Sequence, residues 1–171
     1  MKTLIKNGLL IDPANQVQAY LNLILEDGKV VAVTEEEPEA DRVIDATGKV
    51  VAPGFIDIHM HEDPVKDGKI EFCIFDAMLR MGVTTAVGGN CGINVYDPVK
   101  YLDMVEKDGA PVNVMLFAGH QYFREAAGAL DKYAPVTKEQ QEHMKKGLEK
   151  ALEAGCVGIS YGLRYVPGNR P

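Results

Sequence analysis

Cysteine is scarce in this sequence: three residues in 171, Cys73, Cys91 and Cys156, an odd number at wide spacings. That argues against a disulfide framework and for a reducing compartment, so a special role for any of them must come from its surroundings. Long apolar runs are missing too. No stretch reaches the about eighteen apolar residues of a membrane-spanning helix, and the opening Met1-Lys2-Thr3-Leu4-Ile5-Lys6-Asn7-Gly8 turns polar too early for a signal peptide. A soluble, cytoplasmic protein without membrane attachment is therefore expected. Positive charge is thin and scattered, with 18 Lys and Arg against 25 Asp and Glu and a net charge of -7. The sequence thus lacks the basic footprint of a nucleic-acid binder.

What is present is ample apolar material, 46% of residues, enough for a buried core. Residues 1–52 read as a β-rich segment of short strands, Thr3-Leu4-Ile5-Lys6 and Gly8-Leu9-Leu10-Ile11 first. A hairpin is predicted where Leu21–Leu25 and Lys29–Val33 flank Asp27-Gly28, a pair suited to a turn at positive φ. The acidic stretch from Thr34 to Asp41 reads as a solvated loop. After Pro53 the pattern changes to apolar runs of strand length, each followed by a helical stretch, which marks a boundary near residue 52 and an α/β fold.

Strands are predicted at 54–59, 83–87, 112–118 and 157–161. Helices are predicted within about 70–81, at 99–107 after Asp97-Pro98, and at 137–154 behind the capping box Thr137-Lys138-Glu139-Gln140. Four such units suit either a small open sheet or the first half of an eight-stranded barrel. A whole barrel takes about 250 residues, so length alone favours the open sheet.

Chemistry gathers at two strand ends. His59-Met60-His61 closes the first strand, and residues two apart on a strand project to one side, so two imidazoles can converge. Gly88-Gly89-Asn90-Cys91-Gly92 closes the second and brings a thiol to the same rim if the strands are parallel neighbours. Zinc is the ion that best accepts imidazole nitrogen together with thiolate sulfur. Nucleophilic catalysis by Cys91 is the rival role, and no acyl-transfer signature surrounds it. Cys73 and Cys156 read as inert core residues, and His143 as a surface residue of the last helix. His120, after the third strand, lies on the predicted rim and either lines a pocket or supports it.

The string Val51-Ala52-Pro53-Gly54-Phe55-Ile56-Asp57-Ile58-His59-Met60-His61 resembles the opening metal motif of the amidohydrolase superfamily. With Val83–Gly92, then Gly119-His120, then Gly158-Ile159-Ser160-Tyr161-Gly162-Leu163-Arg164-Tyr165-Val166-Pro167-Gly168, the chain is similar throughout to the N-acyl-D-amino-acid deacylase (D-aminoacylase) family. The resemblance implies a β-sandwich, built from both chain ends, attached to a (β/α)8 barrel. Residues 1–52 would then be a sandwich segment, and 53–171 the first four βα units of an incomplete barrel.

It implies His59, His61 and Cys91 as metal ligands, zinc as cofactor, and a substrate-facing tyrosine, Tyr165 in the better position and Tyr161 as the alternative. The family's two later histidine ligands and its late aspartate, the general base, would lie beyond Pro171. The implied activity is metal-dependent hydrolysis of the amide bond of small N-acyl-D-amino acids, by an enzyme completed by its C-terminal half or a complementary chain in an oligomer. The alternatives are a cyclic-amide hydrolase of the dihydroorotase or hydantoinase kind, and a noncatalytic structural half of a two-chain assembly.

Overall fold

Turn residues decide where the strands of the first fifty residues stop. The computed structural model describes residues 1–164 and Val166, and the chain divides after Pro53 into two units. The first holds β1 (Lys2–Lys6), β2 (Leu9–Asp12), β3 (Val17–Tyr20), β4 (Asn22–Glu26), β5 (Lys29–Thr34), β6 (Arg42–Asp45) and β7 (Val50–Val51). They form two sheets, β5-β4-β1-β6 and β3-β2-β7. The predicted hairpin is there: Glu26 pairs with Lys29, and Asp27 and Gly28 take φ of 49° and 78°, the two positive values of a type I′ turn. Leu4, Leu10, Ile24 and Ala46 are buried in this unit. The acidic loop is tied down by the buried Asn22, whose Nδ2 donates to the carbonyls of Glu35 at 3.2 Å and Glu36 at 3.0 Å.

The second unit begins with β8 (Phe55–Asp57), then β9 (Val65–Lys66), β10 (Lys69–Ile70) and α1 (Ile74–Arg80). It continues with β11 (Val83–Gly88), α2 (Pro98–Asp108), β12 (Asn113–Leu116), β13 (Ala118–Gly119), α3 (His120–Ala126), α4 (Lys138–Glu153) and β14 (Ile159–Ser160). Strand β11 pairs in parallel with β8 on one side and β12 on the other, and β13 pairs in parallel with β14. Val157 N donates to Leu116 O and Ala118 N to Gly158 O, so the four strand segments lie side by side in chain order.

Helices α1, α2 and α4 pack against β11, β12 and β13, and between the layers Phe75, Tyr101, Ala86, Leu116, Ala118 and Ala151 are at most 1% exposed. The other face is more open. Ile56, Thr85 and Asn113 share one row and Val87 and Met115 the next, with Ile56 65% and Met115 41% exposed although Val87 is buried. None of the helices among the described residues is long and apolar enough to cross a membrane.

Three elements depart from expectation. The helix expected within about 70–81 lies inside those bounds, and ahead of it stands an unexpected hairpin, β9–β10, which turns at Asp67 and Gly68 with φ of 50° and 73°. This is the same Asp-Gly signal as at residue 27. The third strand breaks at Phe117, and His120 opens helix α3 rather than ending a strand. The fourth strand is only Ile159–Ser160.

Helix α1 begins where it does because of a distant carboxylate. Its own N-cap residue, Cys73, makes no side-chain cap. Instead the fully buried Asp63 accepts from Cys73 N (3.0 Å), Ile74 N (2.7 Å), Phe75 N (2.9 Å) and the Cys73 thiol (2.9 Å). Those donors replace the water a buried charge gives up and satisfy the helix's orphan amides. Asp63→Ala is expected to cost about 2 kcal/mol, read from the urea midpoint, with lost amide protection at the start of α1.

Candidate metal centre

The chain leaves β8 through an Asx turn, in which Asp57 Oδ1 accepts from His59 N at 2.9 Å. Met60, next along, is buried and its amide donates to Val87 O, which seats the segment on the end of β11. His59 and His61, on either side of it, stay exposed, with ring centroids 6.4 Å apart and planes at 77°.

Beyond β11 the backbone makes an unusual turn. Gly89, Cys91 and Gly92 have φ of 71°, 60° and 77°, so a half-buried cysteine sits in the left-handed region between glycines. A Cβ on Gly89 would come within 2.0 Å of Phe117 O, so a side chain is excluded there by space as well as by φ.

This turn delivers the Cys91 sulfur to 3.4 Å from His59 Nε2, and one donor atom from each of His59, His61 and Cys91 falls within 4.8 Å of the others. A sulfur and a nitrogen sharing one tetrahedral zinc, at its usual bond lengths, stand about 3.6 Å apart. The donor set and its spacing therefore fit a shared borderline-soft cation.

Two side chains that carried no role in the sequence reading hold the arrangement. Asn90 is buried, and its Nδ2 donates to Met60 O at 3.3 Å and Val87 O at 2.7 Å, joining the histidine segment to the cysteine turn. Asn94 Nδ2 donates to Phe117 O and to the buried Glu62, while its Oδ1 accepts from Gly119 N at 2.6 Å. The signal available in the sequence was two asparagines four positions apart in a glycine-rich strand-end loop. There the amide side chain serves backbone groups that the turn leaves unpaired.

The other thiols are differently placed. Cys156 is buried as expected, and burial, with Glu62 and Asp97 behind it, pushes its pKa up to about 11. Cys73 is not a core residue: it is exposed at the start of α1, and its hydrogen bond to Asp63 raises its pKa. Neither is poised as a thiolate.

His120 stacks on Tyr161, centroids 5.1 Å apart, and lines a cleft of about 260 Å³ with Val136, Met144, Leu148 and Ile159. Burial, then Arg124, lowers its pKa and favours the neutral ring. His143 is exposed on α4. Tyr165 lies outside the described residues.

The sequence profile of the Amidohydrolase family matches residues 42–163. An N-acyl-D-glutamate deacylase of Alcaligenes xylosoxydans xylosoxydans is 32% identical over 187 residues, covering 96% of this chain and 38% of that protein. The structure of N-acyl-D-glutamate deacylase from Bordetella bronchiseptica, complexed with zinc and a phosphonate mimic of the tetrahedral intermediate, matches with a TM-score of 0.81 at 32% identity. It covers 98% of this chain and 39% of that one. A D-aminoacylase solved with CuCl2 matches with a TM-score of 0.84 at 27% identity, over 98% and 40% of the two chains. The chain thus spans about two fifths of the length of these relatives.

The hydrogen bonds of Asn90 predict a measurable coupling. Asn90→Ala leaves a buried carbonyl at Met60 without its side-chain donor and should cost about 2 kcal/mol in urea unfolding. Amide exchange at Met60 and Cys91 should speed up together; if only one of them does, the two segments are not joined through Asn90.

Proposed function

The chain belongs to the amidohydrolase family, with the N-acyl-D-amino-acid deacylases among its relatives, and from that premise we propose that it is the metal-holding part of a zinc-dependent hydrolase of N-acyl-D-amino acids. The observation that carries this is the convergence of His59, His61 and Cys91. Bound there, zinc would supply a Lewis acid that polarises the scissile amide carbonyl and brings the pKa of a water toward neutrality.

The chain's own part is to hold the donors. His59 and His61 offer imidazole nitrogens and Cys91 offers sulfur, while Asp57 fixes the turn that carries His59 and Asn90 ties the histidine segment to the cysteine turn. Asp57 accepts from the His59 amide, Asp63 from the amides that open α1, and Glu62 from Asn94. The proton acceptor for the attacking water would be the late aspartate implied by the family resemblance, in the part of the longer relatives that this chain's match does not reach.

The same reasoning supports the architecture. Four parallel strands in chain order, helices on one face and a more open opposite face suit residues 53–171 as the first four βα units of a (β/α)8 barrel, with 1–52 as a sandwich segment. The remaining half, in the same polypeptide or a complementary chain, would pair with β8 and β14 and cover Ile56 and Met115. His120 and Tyr165 are the candidates for facing the acyl amino acid, and a reducing, cytoplasmic setting suits a thiolate ligand.

Metal analysis tests the assignment. Cys91→Ala in the assembled protein should lower bound zinc at least about tenfold, and His59→Ala likewise. Unchanged zinc in the Cys91 variant would remove the site. Mass spectrometry of the purified assembly should find the complementary half, and deacylation by this chain alone, as a monomer, would overturn the divided active site.

A further inference from the structure

The Cys91 turn is bracketed by a residue from the far side of the sheet. Ser160, at the end of β14, accepts from Gly92 N at 3.0 Å and donates to Gly89 O, reaching 68 and 71 residues back along the chain. Gly89 and Gly92 are both buried, so no solvent stands ready to replace that hydroxyl. The backbone around it leaves no slack. Gly119, the register partner of Ser160, lies so close that a Cβ on it would meet Gly92 C at 2.7 Å, and a Cβ on Gly92 would meet Gly162 N at 2.9 Å.

One hydroxyl therefore serves the peptide groups on both sides of Cys91, in a turn whose left-handed residues do not hold themselves. We infer that Ser160 is a positioning residue of the metal centre, touching no ligand atom, which holds the Cys91 sulfur against His59 by fixing the turn from the fourth strand. The inference rests on the metal reading for its consequence but not for its geometry. It makes the thiol donor depend on a strand that supplies no ligand.

The test compares Ser160→Ala, Ser160→Thr and Ser160→Val in the full chain with the wild type, and with Cys91→Ala as control. Without metal, alkylation of each cysteine by iodoacetamide is followed by peptide mass spectrometry. Cys91 should react about tenfold faster in the alanine variant, the effect of roughly one lost hydrogen bond, with Cys156 unchanged as a gauge of folding. With cobalt(II), the thiolate-to-metal absorption should titrate with about tenfold weaker affinity in the alanine variant and stay close to wild type with threonine.

Threonine and valine share a shape, so if alanine unfolds the unit this pair decides. Threonine like wild type with valine impaired supports Ser160, and the two alike overturns it. Wild-type alkylation and cobalt affinity in the alanine variant would equally overturn it. A wild-type chain lacking any Cys91-dependent cobalt absorption would instead sink the metal reading, while the alkylation comparison still decides the role of Ser160.

Discussion

A left-handed turn around a cysteine is the constraint on which the site depends. An L-residue at positive φ costs about 1–2 kcal/mol, and the turn at 89–92 needs that conformation three times, twice in glycine and once in Cys91. The Ser160 hydroxyl and the Ile93 amide satisfy backbone groups of the turn itself, while the amides of Asn90 and Asn94 tie it to Met60, Val87 and Phe117 around it. Packing and polar satisfaction act together here. Glycine allows β13 and the turn to approach within van der Waals limits, and closeness brings those side chains within reach.

The same sheet explains why the site opens on one rim. Parallel strands in chain order put all their carboxyl ends together, so the segments after β8 and β11 meet without any long crossover. Burial is lopsided. The helix-covered face is closed to about 1% exposure at its centre, whereas Ile56 and Met115 on the other face stay open. The asymmetry means that the helices, not the open face, supply most of the packing that holds the sheet.

Much of this was legible because it is written locally. Period and punctuation placed β11, α2 and α4 within a residue or two, and the spacing of two histidines and one glycine-flanked cysteine anticipated which side chains come together. What escaped was non-local. Asp63 caps a helix that begins eleven residues later, so no window around Ile74 contains its cap. Ser160 acts across about seventy residues, and nothing in Gly158-Ile159-Ser160-Tyr161 separates a strand serine from a clamp until the strands are laid side by side. The β9–β10 hairpin was missed for a different reason: Asp67-Gly68 is a readable turn signal, but the strands it joins are two residues each, too short to show an alternating pattern.

The distribution of labour follows from these distances. The donor atoms at the ends of neighbouring strands are near in sequence, 32 residues apart for His59 and Cys91, and need only local order to converge. Of the carboxylates beside the histidine segment, Asp57 accepts from the His59 amide, Asp63 from the first amides of α1, and Glu62 from Asn94 through one oxygen, its other oxygen being buried without a hydrogen-bond partner. Two imidazoles and one thiol are thus gathered at a single rim by hydrogen bonds that involve none of their own donor atoms, so the arrangement is set by the fold before anything is bound there.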